Sequence, residues 1–249
     1  MSGHNKWSSI KHKKGAADAK RGKLFTRYTR EIITAARSGS GDVTNNPRLR
    51  AAVAAAKSVN MPNANIEKAI KRGTGEIEGA VYEEFIYEGY GQNGVAIMVE
   101  VMTDNKNRTV AEVRHVFSKY GGSLAESGAV SWVFNQKGYI EIEAPDMNED
   151  DAIMTALEAG AEDAEFEDGV LSVYTSVGDF HVVMGYLEKE GFSISKAELT
   201  RIPTTTVDAD DVASQLMRLI DKLEDLDDVQ KVFANFRISD ELLNRLAEN

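Results

Sequence analysis

Hydrophobic positions recur with a helical period in the first third of the chain. Over residues 20–37 the apolar side chains fall in one sector of a helical wheel and the basic side chains lie roughly opposite. Asn46-Pro47 predicts the start of a second helix, and Pro62-Asn63 predicts the start of a third helix that ends at Gly73. The pattern therefore predicts a small three-helix domain, and residues 1–20 precede it as a basic arm.

Beyond residue 79 the pattern changes to strands. The first predicted elements are strands over 82–90 and 94–103, a helix over 107–120 and a strand over 129–134. Residues 138–202 then follow the order strand, helix, strand, strand, helix, strand, which is the ferredoxin-like pattern. The last predicted elements are a strand over 204–207, a helix over 209–223 and a strand over 229–237. These are expected to pair with residues 95–134 in a second unit of the same kind.

The predicted fold class is α+β. An N-terminal three-helix domain precedes two ferredoxin-like α/β domains, and the last domain interrupts the middle one. The predicted boundaries are 1–78 for the basic arm with the helical domain, 79–136 with 203–249 for the discontinuous domain, and 137–202 for the inserted βαββαβ domain.

Composition excludes several classes of protein. The 249 residues contain no cysteine, so disulfides, thiolate metal sites and thiol nucleophiles are all ruled out. The chain has no apolar run of about 18 residues and begins without the pattern of a signal peptide. We therefore expect a cytoplasmic protein that does not span a membrane.

The net charge of −11 is divided unevenly along the chain. Residues 1–72 contain 16 Lys and Arg against 4 Asp and Glu, a net charge of +12. Residues 73–249 contain the other 13 basic residues against 36 acidic ones, a net charge of −23. This asymmetry is expected when one part of a protein binds a polyanion, because the acidic remainder would repel the same partner.

The basic arm and the helical domain supply the candidate phosphate contacts. Seven Lys and Arg residues lie within residues 6–23, where only Asp18 opposes them. Trp7 could stack on an unpaired base or could anchor the arm to the helical domain. The predicted nucleic-acid-binding residues are Lys6, Trp7, Lys11, Lys13, Lys14, Lys20, Arg21, Lys23, Arg27, Arg30, Arg48 and Arg50. A solubilising surface and a membrane-surface helix are the alternatives, although the apolar face of residues 20–37 is needed for the bundle.

Other motifs do not indicate chemistry. Gly89-Tyr90-Gly91-Gln92-Asn93-Gly94 fits a dinucleotide-binding pattern, but a strand follows, so these glycines are predicted to give positive φ angles in a hairpin turn. Glu149-Asp150-Asp151 is placed at a helix start, and the run Asp225–Asp228 has no explanation from the sequence. The four histidines are scattered. We predict no catalytic residue, metal or cofactor.

Several motifs together resemble those of the YebC/PmpR family over essentially the full chain. They are Gly3-His4 with Lys6-Trp7, residues 17–23, Asn46-Pro47-Arg48-Leu49-Arg50, residues 87–91, residues 104–109, residues 157–163 and residues 216–230. The resemblance implies a three-domain fold with a helical N-terminal domain and no catalytic residues. It also implies a cytoplasmic transcriptional regulator, with DNA binding attributed to some members. Mitochondrial relatives are translational activators, and bacterial members have been tied to the ribosome.

The charge division and the resemblance together predict a nucleic-acid-binding regulator of gene expression. The first hypothesis is a DNA-binding transcriptional regulator, and the alternative is a ribosome-associated translation factor that binds RNA. An enzyme is a third hypothesis, which rests only on the concave surfaces that ferredoxin-like domains often carry. No recognition helix of a helix-turn-helix is evident, so contacts are expected mainly with the phosphate backbone. We expect the protein to act as a monomer.

Overall fold

A computed structural model describes residues 17–144, 146–167, 169–239, 241–242 and 245, with side chains from residue 22 onward. Trp132–Thr206 forms one compact unit, and the rest of the described chain forms the other. The predicted α+β class is confirmed: three helices come first and antiparallel sheets follow. The predicted domain boundaries stay a prediction. No described helix is long and apolar enough to cross a membrane.

The helical domain consists of α1 (Ala17–Ser38), α2 (Pro47–Ser58) and α3 (Asn63–Thr74). Asn46 caps α2 by accepting a hydrogen bond from the Leu49 amide at 3.0 Å, and its side-chain amide donates to the Ala35 carbonyl at 2.8 Å. The capping side chain therefore also attaches α2 to α1.

The end of α3 differs from the prediction. Gly73 lies inside the helix, because α3 continues to Thr74 and is capped by Gly75 in the left-handed region at φ 82°. A Cβ on Gly73 would lie 2.6 Å from the Cβ of Ala36, so the glycine allows α1 and α3 to pack closely.

The first sheet has the strand order β3-β1-β2-β9 and is antiparallel throughout. Its strands are β1 (Glu83–Tyr90), β2 (Ala96–Thr103), β3 (Ser123–Leu124) and β9 (Val229–Ala234). Two helices, α4 (Lys106–Lys119) and α7 (Ala213–Glu224), pack against it through a shared apolar core. Every residue of β2 except Glu100 is buried, which fits its continuous apolar sequence.

The second predicted βαββαβ unit is assembled differently from the prediction. The strand expected over residues 204–207 does not join this sheet, which contains β1 instead; β8 (Val207–Asp208) pairs with β10 (Phe236–Arg237) in a separate parallel ribbon. Residues 129–134 do not form the expected strand either. Glu88 accepts hydrogen bonds from the amides of Gly128, Val130 and Ser131 at 2.6–2.8 Å, so these amides are not available to a sheet.

The unit Trp132–Thr206 contains a four-stranded antiparallel sheet of order β5-β6-β4-β7. Its elements in chain order are β4 (Phe134–Glu143), α5 (Glu149–Glu158), β5 (Asp163–Glu167), β6 (Val170–Thr175), α6 (Phe180–Lys189) and β7 (Ile194–Pro203). This strand order is that of a ferredoxin-like sheet, and both helices pack on one apolar face of it. Asn148 caps α5, and the acidic residues 149–151 lie in its first turn, where the helix dipole favours negative charge.

The glycine-rich motif at residues 89–94 is a hairpin turn between β1 and β2, as predicted. Only Gly94 of its glycines has a positive φ, at 72°, so the predicted role is wrong for Gly89 and Gly91. Those two glycines allow close packing instead. A Cβ on Gly89 would lie 2.6 Å from the Ser123 carbonyl oxygen, and one on Gly91 would lie 2.9 Å from Leu216 Cδ1.

Candidate nucleic-acid interface

The predicted site residues of the basic arm are only partly described. Five of them lie outside the described residues: Lys6, Trp7, Lys11, Lys13 and Lys14. Lys20 and Arg21 lie in the first turns of α1 and are described by their backbone. The arm therefore remains a prediction from charge.

Three predicted residues form a row along α1 and contact the far end of the chain. Lys23, Arg27 and Arg30 are spaced four and three residues apart, which places them on one helix face. They contact residues 224–228, which end α7 and lead into β9; this segment is called the acidic loop below. The charge row of α1 therefore faces an internal partner.

The contacts involve side-chain and backbone oxygens of the acidic loop. Lys23 Nζ lies 2.8 Å from Asp225 Oδ1 and donates to the Asp225 carbonyl at 3.1 Å. Arg27 donates to the Glu224 carbonyl, and Arg30 donates to the Asp227 carbonyl. Carbonyls at a helix C-terminus lack intrahelical partners and carry partial negative charge, so Arg27 and Lys23 cap α7 through the carbonyls of Glu224 and Asp225.

Asp228 is the buried centre of this cluster. Its carboxylate lies 2.9 Å from Arg30 Nη2 and 2.7 Å from Arg108 Nη2. The hydroxyls of Thr109 and Thr103 donate to it at 2.6 and 3.0 Å. Burial alone would raise the pKa of Asp228, but the hydrogen bonds and the charge of Arg30 outweigh burial and lower the pKa below its ordinary value. These contacts explain two carboxylates of the acidic run, Asp225 and Asp228, which the sequence left unexplained.

We expect acid to destabilise the protein through its buried carboxylates. The pKa of Glu88 is also lowered, because its three amide hydrogen bonds outweigh the effect of burial. A carboxyl group with a lowered folded pKa stabilises the fold above its unfolded pKa of about 4, and this contribution is lost as the pH falls through the folded value. Urea unfolding at pH 7 and pH 3 should therefore show a lower free energy of unfolding at pH 3. Equal values would contradict this assignment.

The two predicted arginines of α2 also have internal partners. Arg48 Nε lies 2.8 Å from Glu31 Oε1, and Arg48 Nη2 lies 2.5 Å from Glu84 Oε1. The hydrogen bond to Glu84 is the main cause that raises the pKa of Arg48, and Glu31 adds to it. Arg50 donates to the Thr44 carbonyl at 2.8 Å and remains exposed.

Four exposed cations of the helical domain are absent from the predicted site residues, although the helical period places Arg37 on the basic face of the first helix. Arg37, Lys57, Lys68 and Lys71 have no ion-pair partner among the residues that the structure describes. Arg37 and Lys71 lie in the last turns of α1 and α3, the two helix ends that meet where Gly73 packs on Ala36. Their helical spacing away from the apolar positions would have been the signal.

The described residues contain no group of three or more His, Asp or Glu side chains that could hold a metal ion.

The contacts described above divide the cations of the helical domain into two kinds. The α1 row and Arg48 bind internal carboxylates or carbonyls, whereas the four exposed cations face solvent. Only the second kind can bind an external phosphate without first losing an internal contact.

The chain matches known proteins over nearly its whole length. Residues 5–76 match the TACO1/YebC protein N-terminal domain, and residues 82–236 match the TACO1/YebC second and third domain. A probable transcriptional regulatory protein of Syntrophobacter fumaroxidans is 54% identical, covering 99% of this chain and 100% of the relative. A probable transcriptional regulatory protein of Desulfosudis oleivorans is 56% identical, and the match covers 96% of this chain and 98% of the relative.

A solved structure has a similar fold. The crystal structure of a conserved hypothetical protein from Aquifex aeolicus has a TM-score of 0.83 and 49% sequence identity. The similarity covers 93% of this chain and 96% of that one. It therefore extends over most of the chain.

Proposed function

Because the chain belongs to the TACO1/YebC family, whose curated bacterial relatives are named probable transcriptional regulatory proteins, we propose that it regulates transcription by binding DNA. The observation that carries the proposal is the charge division, +12 over residues 1–72 and −23 over the rest. A duplex carries dense negative charge, so the basic end would be attracted to it and the acidic remainder would be repelled.

The exposed cations of the helical domain support this assignment. Lys68 and Lys71 are three residues apart on α3, so they lie on one face of the helix. With Arg37 and Lys57 they extend the positive charge of the basic arm over the surface of the same domain. No carboxylate of the described residues forms an ion pair with them, so they are available to phosphates.

The binding mode that follows is contact with the phosphate backbone. Lysine and arginine side chains release counterions when they neutralise phosphates, so the affinity falls steeply with salt concentration. Such contacts fix the orientation of the protein but carry no sequence information. Target choice would then depend on the shape and deformability of the duplex.

Single charge reversals test the proposal. We expect Lys14→Glu in the arm and Lys71→Glu on α3 each to weaken binding to a short DNA duplex roughly tenfold and to reduce the salt slope by about one. Lys189→Glu is the matched control, because Lys189 is exposed in the last turn of α6 within the acidic unit Trp132–Thr206. Its effect should stay below about twofold. Fluorescence anisotropy at two salt concentrations measures all three.

The same titrations with a folded RNA decide between the two nucleic acids. DNA binding that persists at a salt concentration where RNA binding is lost supports the transcriptional role. The reverse order would overturn it in favour of the RNA-binding translation factor. Equal effects of all three reversals would show that the interface does not lie on the N-terminal part of the chain.

A further inference from the structure

The acidic loop presents to α1 the same chemistry that a nucleic-acid backbone would present. A carboxylate oxygen of Asp225 and the carbonyl oxygens of residues 224, 225 and 227 accept hydrogen bonds from the α1 row, Lys23, Arg27 and Arg30. Phosphate oxygens are acceptors of the same kind, and guanidinium and ammonium groups bind them in the same way. A polyanion that approached this face of α1 would meet donors that are already occupied.

The two ends of this contact differ in burial. The side chains of Lys23 and Asp225 are 43% and 50% exposed, whereas those of Arg30 and Asp228 are 11% and 2% exposed. An exposed ion pair exchanges with solvent and with other ions at little cost in free energy, but a buried one does not. The Lys23 end is therefore the end that an external phosphate can open.

A second cation makes that exchange easier. Lys222 Nζ lies 3.1 Å from the other carboxylate oxygen of Asp225, so Asp225 is shared between two lysines. When Lys23 leaves, Asp225 keeps a positive partner and is not left as an uncompensated charge. The pair therefore forms an exchangeable contact rather than a permanent one.

We propose that the acidic loop is a built-in competitor for the nucleic-acid-binding face of α1, with Asp225 as the residue that holds Lys23 away from phosphate. This inference rests on the proposed function, since it concerns the same polyanion. The apparent affinity is then lower than the intrinsic affinity, because only molecules whose Lys23 is released from Asp225 present this cation to phosphate. Weakening the internal contact strengthens external binding.

The test removes one carboxylate without changing its size. We expect Asp225→Asn to tighten binding to a short DNA duplex about two- to fivefold, the range expected from an exposed ion pair. Glu112→Gln is the control, because Glu112 is an exposed residue of α4 in the same compact unit and the substitution changes the net charge equally. Its effect should be smaller than that of Asp225→Asn.

A second substitution shows whether the gain depends on Lys23. In the natural chain, Lys23→Gln should change the affinity little, because Lys23 is occupied by Asp225. In the Asp225→Asn background, the same change should remove the gain. The difference between these two effects is the coupling expected for a competitor, and a general charge effect would not produce it.

The outcomes separate the two proposals. If the natural chain does not bind DNA, the proposed function fails. If it binds DNA and Asp225→Asn matches Glu112→Gln, the competition is refuted and the proposed function stands. Circular dichroism of each variant confirms that the helices are retained, so a change in affinity reports on the interface.

Discussion

Asp228→Asn is expected to lower the free energy of unfolding by about 3–5 kcal/mol, the loss typical of removing one partner from a buried ion cluster. The side chain of Asp228 is 2% exposed; its carboxylate accepts hydrogen bonds from Arg108, Thr103 and Thr109 and forms an ion pair with Arg30. The amide keeps the size of the side chain but carries no charge. The positive charge of Arg30, which is 11% exposed, would then be left without its buried partner.

Chemical unfolding of the two variants Asp228→Asn and Asp227→Asn measures this effect. Asp227 is the matched control because it is the preceding residue, and its exposed carboxylate has no partner among the residues that the structure describes. Its substitution should change the free energy of unfolding by less than about 0.5 kcal/mol. A loss for Asp228→Asn as small as that of the control would show that the cluster does not hold α1 to the first sheet.

Glu88→Gln is expected to destabilise the protein by about 2–4 kcal/mol. Glu88 is 4% exposed, and its carboxylate accepts hydrogen bonds from three backbone amides. A glutamine side chain has one acceptor oxygen, and its NH₂ group would face an amide donor. A buried donor without a partner costs about 1–3 kcal/mol. The hydrogen bonds lost from the carboxylate were also charge-assisted and therefore stronger than neutral ones. The loss of stability should therefore exceed that caused by a typical substitution at the protein surface.

Glu88→Gln should destabilise residues 128–131 locally, in addition to lowering the global stability of the protein. Hydrogen exchange of the Val130 and Ser131 amides should accelerate in Glu88→Gln by more than the global change in stability explains. Glu83→Gln is the control, since Glu83 is an exposed residue at the start of the same strand. Unchanged protection of the two amides would show that Glu88 does not fix residues 128–131.

The strands show most clearly which parts of the fold the hydrophobic pattern predicts and which it does not. The order of elements over residues 138–202 is sufficient to predict the ferredoxin-like sheet, because each element has its own period and short connections leave few topologies. The predicted strand over 129–134 was wrong because its amides bind the carboxylate of Glu88, about 40 residues earlier in the chain. Local alternation cannot reveal a partner at that separation.

The candidate interface also contains features that the sequence predicts and features that depend on the tertiary structure. Sequence alone determined that the helical domain is amphipathic and that positive charge is concentrated in residues 1–72, because both properties depend only on the order of residues. The tertiary structure decided which cations are already neutralised. Lys23 and Asp225 are 202 residues apart in sequence and 2.8 Å apart in space, and charge counting cannot detect such a pair. Ion pairs form between groups that packing brings together, so their partners are set by the fold and not by the spacing of charges along the chain.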